Sequence, residues 1–145
     1  ISVQEDAEDA LQEGFIRIFQ HLADWNSSGP LGAWIRRIMV NVCLTKIKTL
    51  ANKISSSSNE NIPEVACDAE IHHELHYSDI ESIMKNMPMG YKTVFCLVAI
   101  EGYSYPEVSS MLSITESTCR SQYFKAKNYL ANKINTQFPS LKYTV

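Results

Sequence analysis

The sequence predicts an all-α chain of two small helical domains joined by a flexible linker, the C-terminal one a helix-turn-helix domain of winged-helix-like type. Three observations lead there. No stretch sustains the apolar–polar alternation of a strand, and Gly and Pro number only five each in 145 residues. The run Ser55-Ser56-Ser57-Ser58-Asn59-Glu60-Asn61 lacks apolar periodicity and Pro63 discourages helix, so a linker is expected over 54–66, between domains at 1–53 and 67–145. Residues 102–130 carry two helical patterns around a tight turn.

The first helix is expected to place Ala7, Leu11, Phe15, Ile18, Phe19 and Leu22 on an apolar stripe, with Asp6, Glu8 and Asp9 near its N-terminus, where negative charge suits the helix dipole. Trp25-Asn26-Ser27-Ser28-Gly29-Pro30 breaks it. A second helix follows with Leu31, Trp34, Ile35, Ile38, Val42 and Ile47 on one stripe; its other side carries Arg36, Arg37, Lys46 and Lys48, continuing to Lys53. Trp34 reads as core rather than as a base-stacking platform, and the polar loop between the helices is the better candidate for contacting an extruded base.

The C-terminal pair is capped at both starts. Ser104 and Glu107 have the spacing of a capping box, and Pro106 falls in the first turn, where a missing amide donor costs little. Val108, Met111 and Leu112 supply the buried stripe. Ser113 and Ile114 make the turn, and Thr115 is the natural N-cap of the next helix. There Cys119, Tyr123, Ala126 and Leu130 recur at helical spacing, while Ser117, Arg120, Ser121, Phe124, Lys125 and Asn128 lie opposite. One apolar face, one basic and hydroxyl-rich face and a capped start suit a phosphate-lined groove.

Bulk composition hides this, since the net charge is −3. Along the chain, residues 1–24 hold six acids and one base, and 25–59 five bases and no acid. Residues 60–116 hold ten acids and two bases, and 117–145 five bases and no acid. Two basic surfaces, each following an acidic one, suggest two DNA contacts.

No apolar run is long enough to cross a membrane and no signal peptide is visible, so a cytoplasmic location without membrane insertion is expected. Cys43, Cys67, Cys96 and Cys119 are widely spaced, with no Cys-x-x-Cys pair, which argues against a disulfide framework. His72 and His76 lie one helical turn apart near Cys67 and His73, but the spacing fits no zinc pattern; no metal and no cofactor are expected. No carboxylate pair, Gly-rich phosphate loop or nucleophile motif suggests an enzyme.

Asp6-Ala7-Glu8-Asp9-Ala10-Leu11-Gln12-Glu13-Gly14-Phe15-Ile16-Arg17-Ile18-Phe19 resembles the region 2 signature of bacterial sigma factors. Ala33-Trp34-Ile35-Arg36-Arg37-Ile38-Met39-Val40-Asn41 is similar to the run that follows it there. Met87-Pro88-Met89-Gly90-Tyr91-Lys92-Thr93-Val94-Phe95, then Glu101-Gly102-Tyr103-Ser104 and the helix-turn-helix, resembles sigma region 4. The two regions joined by a short linker resemble the extracytoplasmic-function class, over nearly the whole span from Asp6 to Ile134. Cys119 stands where that class usually has a β-branched aliphatic residue, and Gln122 and Asn128 where it often has basic ones.

The resemblance implies a protein that binds core RNA polymerase and directs promoter recognition and transcription initiation. It implies that Asp6, Glu8, Asp9, Gln12 and Glu13 dock on the polymerase clamp. Asn26, Ser27 and Ser28 would capture a flipped base of the minus-ten element, with Arg36, Arg37, Lys46 and Lys48 tracking the strand. Thr118, Arg120, Ser121, Phe124, Lys125 and Lys127 would enter the major groove of the minus-thirty-five element, Arg120 foremost. It implies promoter DNA and an anti-sigma factor as further partners. It also implies that the family's first helix and part of its second precede Ile1, leaving the N-terminal apolar stripes short of partners. Two other readings stay open on the residues alone. One is a helix-turn-helix regulator binding duplex operator DNA without acting as a sigma factor, which gives Asp6–Asn41 no role. The other is a helical protein-interaction module that binds no DNA.

Overall fold

The computed structural model describes residues 4–27, 29–56 and 76–139, with the side chains of 51–56 left aside. Every regular element among them is helical. The chain divides into two compact units, Ile1–Pro63 and Glu64–Val145.

The first unit is a helical hairpin of α1 (Gln4–Gln20) and α2 (Leu31–Ser56). Glu5 and Asp6 occupy the first turn of α1 and Arg17 the last, both in the sense the dipole favours. The helix stops at Gln20, ahead of the expected break at Trp25. A 3₁₀ turn over Leu22–Asp24 follows, with His21 Nδ1 2.7 Å from Asp24 Oδ2.

The buried face of α1 differs from the expected one. Ala10, Gly14 and Ile18 are buried against α2, whereas Leu11, Phe15, Phe19 and Leu22 stay exposed, Phe19 at 72%. The physical reason is close approach. Gly14 has no Cβ, and the Met39 thioether of α2 fills the space where one would stand, so α2 settles on the small-residue face of α1. Of the predicted stripe only Ile18 turns inward. On α2, Val42 and Leu44 are buried, and Trp34, Ile35, Ile38 and Ile47 are half-buried. Leu31 is exposed. The helix continues to Ser56, three residues into the segment expected as linker. The rest of that segment, with Cys67, His72 and His73, lies outside the described residues.

The second unit holds α3 (Tyr77–Lys85), α4 (Met89–Phe95), α5 (Tyr105–Leu112) and α6 (Glu116–Gln137). His76 is the N-cap of α3, and its amide donates to Asp79 Oδ2 at 2.8 Å. Ile83 and Met87 meet Ala126, Leu130, Ile134 and Phe138 in one apolar cluster, so the C-terminal half of α6 anchors the unit. The Tyr129 hydroxyl donates to the Asn86 carbonyl at 3.0 Å and ties α6 to the end of α3. Val94, Val108 and Cys119 are almost fully buried, fixing α4 and α5 on the N-terminal half of α6; burying such a side chain fully contributes roughly 1.5–3 kcal/mol.

Between α4 and α5 the chain widens into a π-helical turn over Cys96–Ile100, where the Glu101 amide donates to the Cys96 carbonyl at 2.9 Å. Gly102 then takes φ 77°, a left-handed conformation that glycine adopts without a Cβ penalty. Together they turn the chain from α4 into the N-terminus of α5.

Candidate nucleic-acid interface

The helix-turn-helix is built by local hydrogen bonds at three points. At the start of α5 the Glu107 carboxylate accepts from the Ser104 amide at 2.8 Å and from its hydroxyl at 2.6 Å. At the end of α5 Ser113 takes φ 57°, ψ 42°. The Ile114 amide donates to the Ser109 carbonyl at 3.0 Å, and the Ser113 amide to Ser110 at 3.3 Å. This pair of bonds closes the helix in a Schellman turn and reverses the chain. At the start of α6, Thr115 Oγ1 accepts from the Thr118 amide at 3.1 Å.

With both ends set, α6 separates its faces. Cys119, Ala126 and Leu130 are buried and Tyr123 is half-buried. Arg120, Ser121, Phe124, Lys125 and Lys127 are exposed, Phe124 at 58%. Thr118 is half-buried at the cap, its hydroxyl 2.8 Å from that of Thr115.

Two of the cations on this face are supported from neighbouring helices. The Arg120 guanidinium lies 4.8 Å from the ring centroid of Tyr105 at the start of α5, and its Nη2 is 3.5 Å from Glu116 Oε2. Lys125 Nζ lies 5.9 Å from the ring centroid of Tyr91 on α4. Sequence reasoning named Arg120 and Lys125 but not these tyrosines, because the contacts join residues 15 and 34 positions apart in the chain.

In the first unit the loop after α1 and the start of α2 enclose a cleft of about 420 Å³, lined by Asp24, Trp25, Asn26, Gly29, Pro30, Ala33, Trp34 and Arg37. A second cleft of about 330 Å³ is lined by Arg17, His21, Asp24, Trp34, Ile38 and Asn41. Trp34, expected in the core, is instead half-buried and forms a wall of both. Ser27 beside the larger cleft has φ 59°, and Ser28 lies outside the described residues. Arg36, Arg37 and Lys48 are exposed.

Lys46 is not on that exposed side. It turns toward α1 and reaches Asp9 Oδ2 at 3.0 Å and the Asp6 carbonyl at 3.4 Å. Glu13 pairs with Arg17, and Glu8 accepts from Gln4 at 2.8 Å. Glu8, Asp9 and Gln12 are exposed; Asp6 and Glu13 are half-buried. Among the described residues no three His, Cys, Asp or Glu side chains gather as metal ligands, and no helix is long and apolar enough to cross a membrane.

Burial pushes the Cys119 thiol above its ordinary range, with smaller opposing and reinforcing effects from Arg120 and Glu116. Burial likewise raises Cys96 and lowers Lys92, the ammonium and the thiol partly offsetting each other.

Comparison with known proteins matches both units. The family model for Sigma-70 region 2 matches residues 2–52, and that for Sigma-70, region 4 matches residues 77–130. Similar curated relatives include the ECF RNA polymerase sigma factor SigE of Mycolicibacterium smegmatis, 26% identical over 132 residues, covering 88% of this chain and 51% of the relative. SigM of Mycobacterium tuberculosis is 23% identical over 127 residues, covering 88% of this chain and 63% of the relative. The chain thus spans about half to two thirds of the length of these relatives. The sigma-E factor of Haemophilus influenzae is 26% identical, covering 90% of this chain and 76% of the relative. Among solved structures, the sigma factor RpoE of Bartonella quintana, crystallised with the anti-sigma factor NepR, shares the fold with a TM-score of 0.61 over 93% of this chain and 84% of that one, at 18% identity. With the two regions in this order on two helical units, the chain belongs to the sigma-70 family of RNA polymerase sigma factors, in its extracytoplasmic-function class.

Proposed function

We propose that this chain is a promoter-specificity subunit: it joins core RNA polymerase, reads the minus-thirty-five element with α6 and holds the melted minus-ten element beside the α1–α2 loop. The observation that carries this is the α6 face. Arg120, Ser121, Phe124, Lys125 and Lys127 are exposed on a helix fixed at its start by the Thr115 cap, and no acid follows Glu116 in the chain. Beyond its first turn, where Glu116 lies beside Arg120, such a face meets phosphates without like-charge repulsion, and the exposed Arg120 guanidinium can address a base edge in the major groove.

In the first unit the cleft between Trp25 and Trp34 offers apolar walls and the Arg37 cation to a base taken out of the stack. Extrusion costs a few kcal/mol, which stacking and phosphate contacts from Arg36, Arg37 and Lys48 offset. The acidic edge of α1, with Glu8, Asp9, Gln12 and Glu13, meets the polymerase. The reaction itself belongs to the polymerase, so no catalytic residue is assigned. A cytoplasmic site of action follows from that partner. An anti-sigma factor is a further partner, by analogy with the protein crystallised with NepR.

An operator-binding regulator needs the same helix-turn-helix but gives the α1–α2 hairpin nothing to do. The test is assembly on purified core polymerase followed by run-off transcription from a promoter selected out of random DNA. Initiation that depends on this chain supports the reading. Binding to duplex DNA without association with core polymerase overturns it in favour of the regulator.

A further inference from the structure

Arg120 is held by more than its own helix. Its guanidinium lies on the face of Tyr105, whose ring meets Tyr123 edge-on at 5.9 Å and 68°. Tyr123 in turn stacks on Phe95, with centroids 6.0 Å apart and planes 18° from parallel. A run of ring contacts from three helices, Phe95 of α4 to Tyr123 of α6 to Tyr105 of α5, therefore ends on this one cation, which Tyr105 alone among them touches. The backbone beneath Tyr105 is fixed as well, by the Ser104–Glu107 bonds on one side and Pro106 on the other.

We propose that Tyr105 is a positioning residue for promoter reading, presenting the Arg120 guanidinium to the groove in a set orientation. This rests on α6 being the minus-thirty-five reader. An exposed arginine must lose much rotamer freedom when it binds a base or phosphate, and an aromatic platform removes part of that loss before DNA arrives. The ring also offsets the competing pull of Glu116. That carboxylate, 3.5 Å away, opposes transfer of the guanidinium to DNA acceptors. The π face attracts the cation yet leaves its in-plane N–H donors available for the groove. Without the ring, Arg120 would be shared between solvent and Glu116.

The test is a double-mutant cycle on holoenzyme assembled from the full chain and core polymerase, binding a labelled promoter duplex recovered by selection. Tyr105→Phe keeps the platform and should bind like the parent. Tyr105→Met should weaken binding about threefold to fivefold, the scale an exposed cation–π contact supports, while leaving the salt slope unchanged because no charge is lost. In the Arg120→Ala background, Tyr105→Met should add nothing. Because Tyr105 also packs on Tyr123, the cycle decides, not the single loss. An equal loss in both backgrounds means the ring acts only through packing and overturns the proposal. So does a Tyr105→Phe variant as weak as Tyr105→Met, which would assign the effect to the hydroxyl. If Arg120→Ala alone leaves binding unchanged, the assignment of α6 falls, and this proposal with it.

Discussion

Lys46 Nζ lies 3.0 Å from the Asp9 carboxylate, bridging α2 to α1. The pair joins a residue expected to track DNA with one expected to face the polymerase. The Lys46 side chain is 22% exposed and that of Asp9 69%, so the cation is held near the helix interface while its partner stays in solvent.

Lys46→Ala should therefore act on stability more than on DNA binding. A partly exposed pair of this kind contributes about 0.5–1 kcal/mol, and a loss of that order is expected in chemical denaturation of the first unit. The salt slope of promoter binding should barely change, whereas Arg37→Ala, at the rim of the larger cleft, should lower it by about one. Salt titrations of the two variants decide this. Equal slopes for both would mean that Lys46 leaves Asp9 for a phosphate.

Gly14 should tolerate Ala and refuse Val. A Cβ built there overlaps Met39 Sδ, so any side chain must move the thioether. Ala gains about 1 kcal/mol of helix propensity over Gly, and Met39 is flexible and half-buried, so the two effects nearly cancel. Val adds two methyls against the same contact and loses that propensity gain, with an expected net loss of about 1–3 kcal/mol. Urea denaturation measures both. Met39→Ala should recover part of the Val loss, and no recovery would place the clash elsewhere.

Cys119 should be the slowest of Cys43, Cys96 and Cys119 to alkylate in the native state. It is fully buried, and desolvation raises its thiol pKa, so less of it is thiolate at neutral pH. Cys43 and Cys96 are only half-buried, so although burial raises the Cys96 thiol as well, it is access that separates Cys119 from it. The sign is fixed: raising the pH through the thiol range speeds the reaction, and mild denaturant speeds it further by opening α5 from α6. Mass-resolved iodoacetamide labelling gives the order. Early labelling of Cys119 would contradict the packing of the helix-turn-helix.

The parts of this structure legible in the sequence are those with local causes. Ser104 with Glu107, Ser113 and Thr115 set the ends of α5 and α6 through partners at most five residues away, and residue spacing alone locates them. The inner face of α1 has a tertiary cause. Hydrophobicity favours Leu11, Phe15 and Phe19, yet close packing on α2 selects Ala10, Gly14 and Ile18. The small pair Ala10 and Gly14, four residues apart, was the available signal. The π-helical turn at Cys96–Ile100 has no marker in its residues, and the aromatic support of Arg120 depends on how α5 crosses α6. In the first unit, Trp34 was legible as apolar but not as a cleft wall, since that depends on where the loop from Trp25 to Pro30 folds back.

Ser113→Gly should stabilise the second unit without altering DNA selectivity. Ser113 holds φ 57°, where an L-residue incurs a steric penalty of roughly 1–2 kcal/mol that glycine avoids. Glycine's greater freedom in the unfolded chain takes back part of it, so a net gain of about 0.5–1 kcal/mol is expected. The Schellman bonds from Ile114 and Ser113 are made by backbone amides and survive the change, so the angle between α5 and α6 is kept. Ser113→Val should do the opposite, because a β-branched side chain resists this conformation most. Thermal melts of the two variants, paired with promoter binding, separate the turn's conformation from any contact of the serine hydroxyl with DNA. A glycine variant that is more stable yet binds the selected promoter several-fold worse would show that the hydroxyl itself touches the nucleic acid.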